Sequence, residues 1–164
     1  MATPEGMTGQ YIGRTVDHIA FDDMMPGRDA LLTQRLVKDG MSGALITGIQ
    51  KLAQRYLLEL MTELGSLIYL PDRGSTFMID FHAGFWRTPA DVAGSFASAS
   101  LQLRRNLILE EDADNDPPDE RFDSADLLSV GLPAPDHVTI RVQVNSLAGT
   151  SRVVVFPIRI NVVS

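Results

Sequence analysis

The chain has 164 residues, a formal net charge of -7, no cysteine and 45% hydrophobic residues. That is the size of one ordinary domain with enough apolar side chains for a core, and it excludes disulfides and cysteine-based metal sites. The seven acids between Glu110 and Glu120 account for the whole of the net charge, so the rest is formally neutral and offers no basic patch for nucleic acid.

The first 43 residues hold no sustained period. Turn signals stand at Met24-Met25-Pro26-Gly27, Asp39-Gly40 and Ser42-Gly43, with apolar anchors at Tyr11, Ile12, Val16, Ile19 and Phe21. The segment reads as an extended N-terminal arm with a few docking points, or as a disordered tail. Its start lacks the basic-then-apolar pattern of a signal peptide, and no apolar run reaches the length of a membrane span, which predicts synthesis in a cytoplasm and no membrane partner.

Residues 44–164 read as one α+β domain. Thr47 and Gln50 have the spacing of a capping box. Ile49, Leu52, Ala53, Tyr56, Leu57, Leu60, Met61 and Leu64 then recur at helical spacing, with Gly65 placed as the stop. Glu59 and Glu63 lie off this stripe and read as solvated charges. Leu67-Ile68-Tyr69-Leu70 reads as a short extended piece entering the turn Pro71-Asp72-Arg73-Gly74. Phe77 to Phe85 is expected as a strand or an irregular connection, with Asp80 and His82 on one side.

A second helix is expected from Thr88 to near Glu110. Thr88 is its cap, Pro89 its first residue, and Asp91 lies beside the positive helix end. The acids of 110–120 should repel one another into an extended loop, and Pro117-Pro118 bars further helix. The remainder is β. Ala125 to Val130 is a short strand. Val138, Ile140, Val142 and Val144 alternate with polar residues, as do Val154, Phe156, Ile158, Ile160 and Val162. Ser146 to Ser151, with Gly149, closes a hairpin, and Pro157 requires an edge strand or a bulge. The fold expected is two main helices on a small C-terminal sheet with open, apolar, Val-rich edges, a hazard unless a partner strand covers them.

No catalytic or metal constellation is apparent. His18, His82 and His137 are scattered, and neither a phosphate loop nor a Gly-x-Ser-x-Gly elbow occurs. The sequence therefore predicts a protein without cofactor and without enzymatic activity. Glu120 and Arg121, at the end of the acidic loop, read either as a paired charge that fixes the helix-to-sheet crossover or as its solvated end.

Three runs carry a resemblance: Thr47-Gly48-Ile49-Gln50-Lys51-Leu52-Ala53-Gln54-Arg55, Leu60-Met61-Thr62-Glu63-Leu64-Gly65-Ser66 and Tyr69-Leu70-Pro71-Asp72-Arg73-Gly74-Ser75. With the order helix, loop, helix, hairpin over about Leu45 to Val163, they resemble the baseplate wedge, or sheath-initiator, family of contractile phage tails. The family's Glu-Pro-Arg motif is met here by Pro118-Asp119-Glu120-Arg121, in a different order. The resemblance implies a virion protein of the tail baseplate, assembled in the host cytoplasm in multiple copies around the tail tube. Its implied partners are the tail sheath protein and other baseplate wedge and tail-tube proteins. Its implied mechanism is β-augmentation by the first sheath ring, with Val138, Ile140, Val142, Val144, Val154, Phe156, Ile158, Ile160 and Val162 as the sheath-binding strands. The alternatives are a peptidoglycan-cleaving tail lysozyme, a label some members of the family carry, and a tube or head-tail connector.

Overall fold

The computed structural model describes residues 17–18, 45–134 and 137–159. In chain order these are β1 (Asp17–His18), β2 (Leu45–Ile46), α1 (Gly48–Met61), α2 (Phe77–His82), α3 (Pro89–Glu110), a 3-10 turn (Pro118–Glu120), β3 (Phe122–Ala134), β4 (His137–Ser146) and β5 (Ser151–Arg159). The fold is α+β. Strands β3, β4 and β5 form an antiparallel sheet with β4 in the middle, and β1 pairs with β2 separately. The arm's anchors at Tyr11, Ile12, Val16, Ile19 and Phe21 lie outside the described residues, as do Ile160 and Val162.

One face of the sheet and the inner faces of the helices make a single core. α1 contributes Leu52, Ala53, Tyr56, Leu57 and Leu60, and α3 contributes Val92, Phe96, Ala99, Leu103 and Leu107. The sheet contributes Phe122, Val138, Ile140, Val142, Val144, Phe156 and Ile158. The alternation in β4 is therefore the period-2 signature of a half-buried strand. The Tyr56 ring stacks on Phe122, with centroids 5.6 Å apart and planes 8° from parallel. Its hydroxyl reaches Ser100 Oγ at 2.9 Å. The polar tip of a buried aromatic is thus satisfied inside the helix pair.

α3 forms as its sequence dictates. Thr88 Oγ1 accepts from Asp91 N–H, the Asp91 carboxylate accepts from Thr88 N–H, and Pro89 opens the helix. These bonds to Thr88 hold the Asp91 carboxyl below its usual range.

α1 ends earlier than expected, at Met61 rather than Leu64. Ser75 Oγ donates to the Leu60 carbonyl at 2.9 Å, occupying the group a longer helix would offer to Leu64. Leu64 N–H turns instead to the Ser75 carbonyl, and Ser75 N–H to that of Thr62, forming a parallel bridge between Glu63 and Ser75. Phe77–His82 is a helix, not a strand. Phe77, Met78 and Phe81 share a buried face at helical spacing, and Ser75 Oγ accepts from Phe77 N–H at its start. His82 therefore faces Glu63 at the surface rather than sharing a strand side with Asp80. Leu67 to Leu70 is a run of tight turns, not an extended piece, because Leu70 N–H returns to Leu67 and Arg73 N–H to Leu70.

The acidic loop also departs from extension. The Asp112 carboxylate accepts from Asn115 Nδ2 and from Asp114 N–H, and Asp112 N–H donates to Asp116. These bonds hold the Asp112 carboxyl below its usual range, and they fold the acids into local turns despite their repulsion.

Candidate functional site

Strand order decides which strands can meet another molecule. β4 has both edges paired, and the side chains of Val138, Ile140, Val142 and Val144 are buried beneath the helices. No added strand reaches them. Phe156 and Ile158 in β5 are likewise core, and Val154 packs against it. These residues hold the sheet in place. Among the described residues the open edges belong to β3 and β5.

The two edges differ. β3 shifts register between Phe122 and Ser124, between Leu127 and Ser129, and between Gly131 and Ala134. Such irregularities break the even row of donors and acceptors that another strand needs. β5 pairs with β4 without interruption from Asn145–Ser151 to His137–Arg159. Pro157 therefore sits in an edge strand, and no bulge accompanies it.

The hairpin fixes which groups of β5 point outward. Ser146 N–H donates to the Thr150 carbonyl at 2.9 Å, so these two residues form a hydrogen-bonded pair. Pairs alternate along an antiparallel ladder. Arg152, Val154, Phe156 and Ile158 therefore bond to β4, while Ser151, Val153, Val155 and Pro157 turn their backbone outward. Among the described residues no strand lies beyond them. Val153 and Val155 offer N–H and C=O groups there, and Pro157 offers only a carbonyl. Beside them the outer face of the sheet is polar: Asn145 Nδ2 donates to Ser124 and Asp126, and Gln143 donates to Asn145.

Glu120 is 4% exposed and serves α1. Its carboxylate accepts from Thr47 Oγ1 at 2.7 Å, Gly48 N–H at 3.2 Å and Lys51 Nζ at 3.1 Å. It is an external anionic cap on the positive end of the helix. This replaces the expected capping box: Thr47 makes no side-chain cap bond and instead donates its hydroxyl to Glu120. Gly48 has φ +62°, a left-handed turn that glycine adopts readily. Arg121 does not pair with Glu120. Its Nε lies 3.7 Å from Glu111, whose carboxylate also accepts from Phe122 N–H.

A second structured feature escapes sequence reasoning. Glu59, expected in solvent, is buried, accepts from Gly74 N–H at 2.9 Å and pairs with Arg73 Nε at 2.7 Å. Arg73 also meets Glu110, which in turn binds Arg55. Asn106 donates to the Asp72 carbonyl. This clamp holds a loop whose tip exposes Leu67, Ile68, Tyr69 and Leu70, with Ile68 87% and Tyr69 93% exposed. Four consecutive exposed apolar residues on an ordered loop are unusual for a surface that meets only water. The sequence signal was the run itself, which was expected as a short extended piece and is folded into turns.

Among the described residues no group of three or more His, Cys, Asp or Glu is placed to hold a metal, and no helix is long and apolar enough to cross a membrane. Glu120 is turned into its cap rather than toward solvent, whereas a general acid or base must reach its substrate.

No protein-family model matches the chain, and no curated protein matches it. Among solved structures, the chain is similar to a "putative tail lysozyme" from Geobacter sulfurreducens, determined by crystallography at 1.44 Å. The match has 18% identity and a TM-score of 0.41, and covers 70% of this chain and 93% of the other.

Proposed function

We propose that the protein is a structural component of a contractile phage tail baseplate and starts sheath assembly by lending the β5 edge to a strand of the first sheath ring. The observation that carries this reading is that edge: a nine-residue, unbulged strand with outward donors and acceptors at Val153 and Val155 and no strand beyond it among the described residues. Pairing there supplies affinity through backbone hydrogen bonds and register through alternating side chains. The motif runs around Thr47–Arg55 and Tyr69–Ser75 support the same reading through the family they resemble. The clamped Leu67–Leu70 tip gives a separate apolar contact to a neighbouring baseplate subunit.

The test is to mix the purified protein with the cognate sheath subunit and tail tube and to image the product by electron microscopy. Sheath rings that begin at the end carrying this protein are the expected result. Sheath that polymerises with no regard to it refutes the reading. Cutting the chain after Asn145 is a poor substitute, because it also removes Phe156 and Ile158 from the core.

A further inference from the structure

We propose that the solvent face of α3 pairs antiparallel with the same face of a second copy of this chain. The proposal goes beyond the sheath reading and uses a different element of the fold.

α3 turns one stripe into the core, made of Val92, Phe96, Ala99, Leu103 and Leu107. The opposite face of such a helix is ordinarily polar and charged. Here it reads Ala90, Gly94, Ala97, Leu101, Arg104 and Ile108, at steps of four, three, four, three and four residues. That alternation is the seam of a coiled coil. All six residues are exposed, Leu101 by 74% and Ile108 by 45%. Gly94 has no reason in the chain's own packing, because a Cβ added there meets nothing within 4 Å. Glycine weakens a helix interior relative to alanine. Its place in the exposed stripe suits the close approach of another helix.

The stripe is graded, small in its first half and large in its second, and this grading selects the partner and its direction. An antiparallel second copy sets Ile108 over Ala90, Arg104 over Gly94 and Leu101 over Ala97, and the same three pairs again in reverse. Large side chains then lie over small ones from end to end. Charge makes the same choice. Asp91, Ser98 and Arg105 run along one border of the stripe at seven-residue spacing. The antiparallel pair brings Asp91 of each copy beside Arg105 of the other, with Ser98 at the two-fold axis. Asp91 is exposed even while it caps Thr88. Parallel pairing would put Leu101 on Leu101 and Arg104 on Arg104, and leave a gap at Gly94. Sliding the antiparallel pair by one heptad sets Arg104 by Arg87 in one sense, and in the other leaves Ala90 uncovered and Asp91 by Asp112. The face is one helix wide, smaller than the roughly 800 Å² per partner of a standard interface, so pairing is expected at about micromolar concentrations or above.

The chain has no cysteine, so every engineered cross-link can be assigned. In the proposed pair, like positions at residue 90 or 108 stand about 27 Å apart along the helix axis, far beyond the roughly 7 Å Cα separation a disulfide tolerates. Residue 90 of one copy and residue 108 of the other stand side by side. The test oxidises full-length Ala90→Cys, full-length Ile108→Cys and their equimolar mixture, and reads covalent dimer by mass. Sedimentation of the wild type, Leu101→Glu and Arg105→Glu from about 1 µM to about 1 mM reads the free association. The expected results are a wild-type mass that rises toward the dimer, variants that are folded by circular dichroism and remain monomeric, and a disulfide that forms in the mixture at least tenfold faster than in either variant alone. A wild type that stays monomeric throughout overturns the proposal, whatever helix of another protein it binds. So does a dimer that survives Leu101→Glu, or cross-linking at equal rates in all three samples. Sheath seeding by the monomeric variants would leave the β5 reading standing, so the two readings fail separately.

Discussion

Replacing Glu120 with alanine removes the carboxylate that accepts from Thr47, Gly48 and Lys51 at the start of α1. Removing one partner of a buried charge-assisted set costs more than the set contributes, because the remaining groups stay desolvated. Lys51 is partly exposed, which softens the loss. The expected destabilisation in a urea titration is about 2–3 kcal/mol for Glu120→Ala and about 1 kcal/mol for Glu120→Gln, which keeps the shape and one acceptor. An effect near zero for both would mean that the helix needs no external cap. Gly74 is the other sensitive position. It has φ +91°, and an added Cβ would lie 2.4 Å from the Thr62 carbonyl oxygen. Gly74→Ala should destabilise by about 3 kcal/mol, a clash added to the left-handed strain. Tyr56 gives a pH signature. Burial pushes its phenol well above the usual range, against the opposing hydrogen bond from Ser100. A group whose folded value lies above its unfolded value of about 10 contributes stability that is complete below that pH and is lost as pH rises beyond it. Tyr56→Phe should therefore lose less stability than the wild type between about pH 9 and pH 11, measured by denaturant unfolding at each pH.

Elements were legible in the sequence where their signals are local. α3 carries its own cap in Thr88, Pro89 and Asp91, and its bounds follow. The alternation of β4 and β5 and the Gly149 hairpin are equally self-contained. The end of α1 is not, because Leu64 is drawn off by Ser75 and the helix stops at a tertiary contact. α2 is too short for its period to stand out in an apolar run, and its start depends on the same serine. Glu120 was singled out, but its partner was assigned along the chain to Arg121 rather than across space to Thr47 and Lys51. The central strand offers a direct check of the packing. Ile140 is fully buried between the helices and both neighbouring strands, so Ile140→Ala should cost about 3 kcal/mol in transfer and cavity terms. Val153, on the outer face of the same sheet, should tolerate threonine within about 0.5 kcal/mol.

At the scale of the molecule, the described residues build a core from the helices and one sheet face, and the clamped Leu67–Leu70 tip and the β5 edge face outward. Sequence composition exposed the first as an apolar run and the second as a Val-rich strand. It could not say which strand would be central and which an edge. That depends on pairing, and pairing turns Val138 to Val144 from candidate contacts into core. Tyr69→Ser should leave unfolding unchanged within about 0.5 kcal/mol, since the side chain is solvated, and the proposed baseplate contact at this tip further expects weaker pull-down of neighbouring subunits by the variant. The central claim is that the outward backbone of β5 starts the sheath, and proline substitutions read it most directly. Val155→Pro removes an outward N–H and no ladder bond, whereas Val154→Pro removes a bond to β4 and should cost roughly 2–4 kcal/mol. The decisive measurement is electron microscopy of sheath and tube mixed with the wild type or with Val155→Pro, each first shown by thermal unfolding to be folded. The account predicts rings seeded by the wild type and none by a Val155→Pro protein of near wild-type stability. Rings seeded equally by both would contradict it.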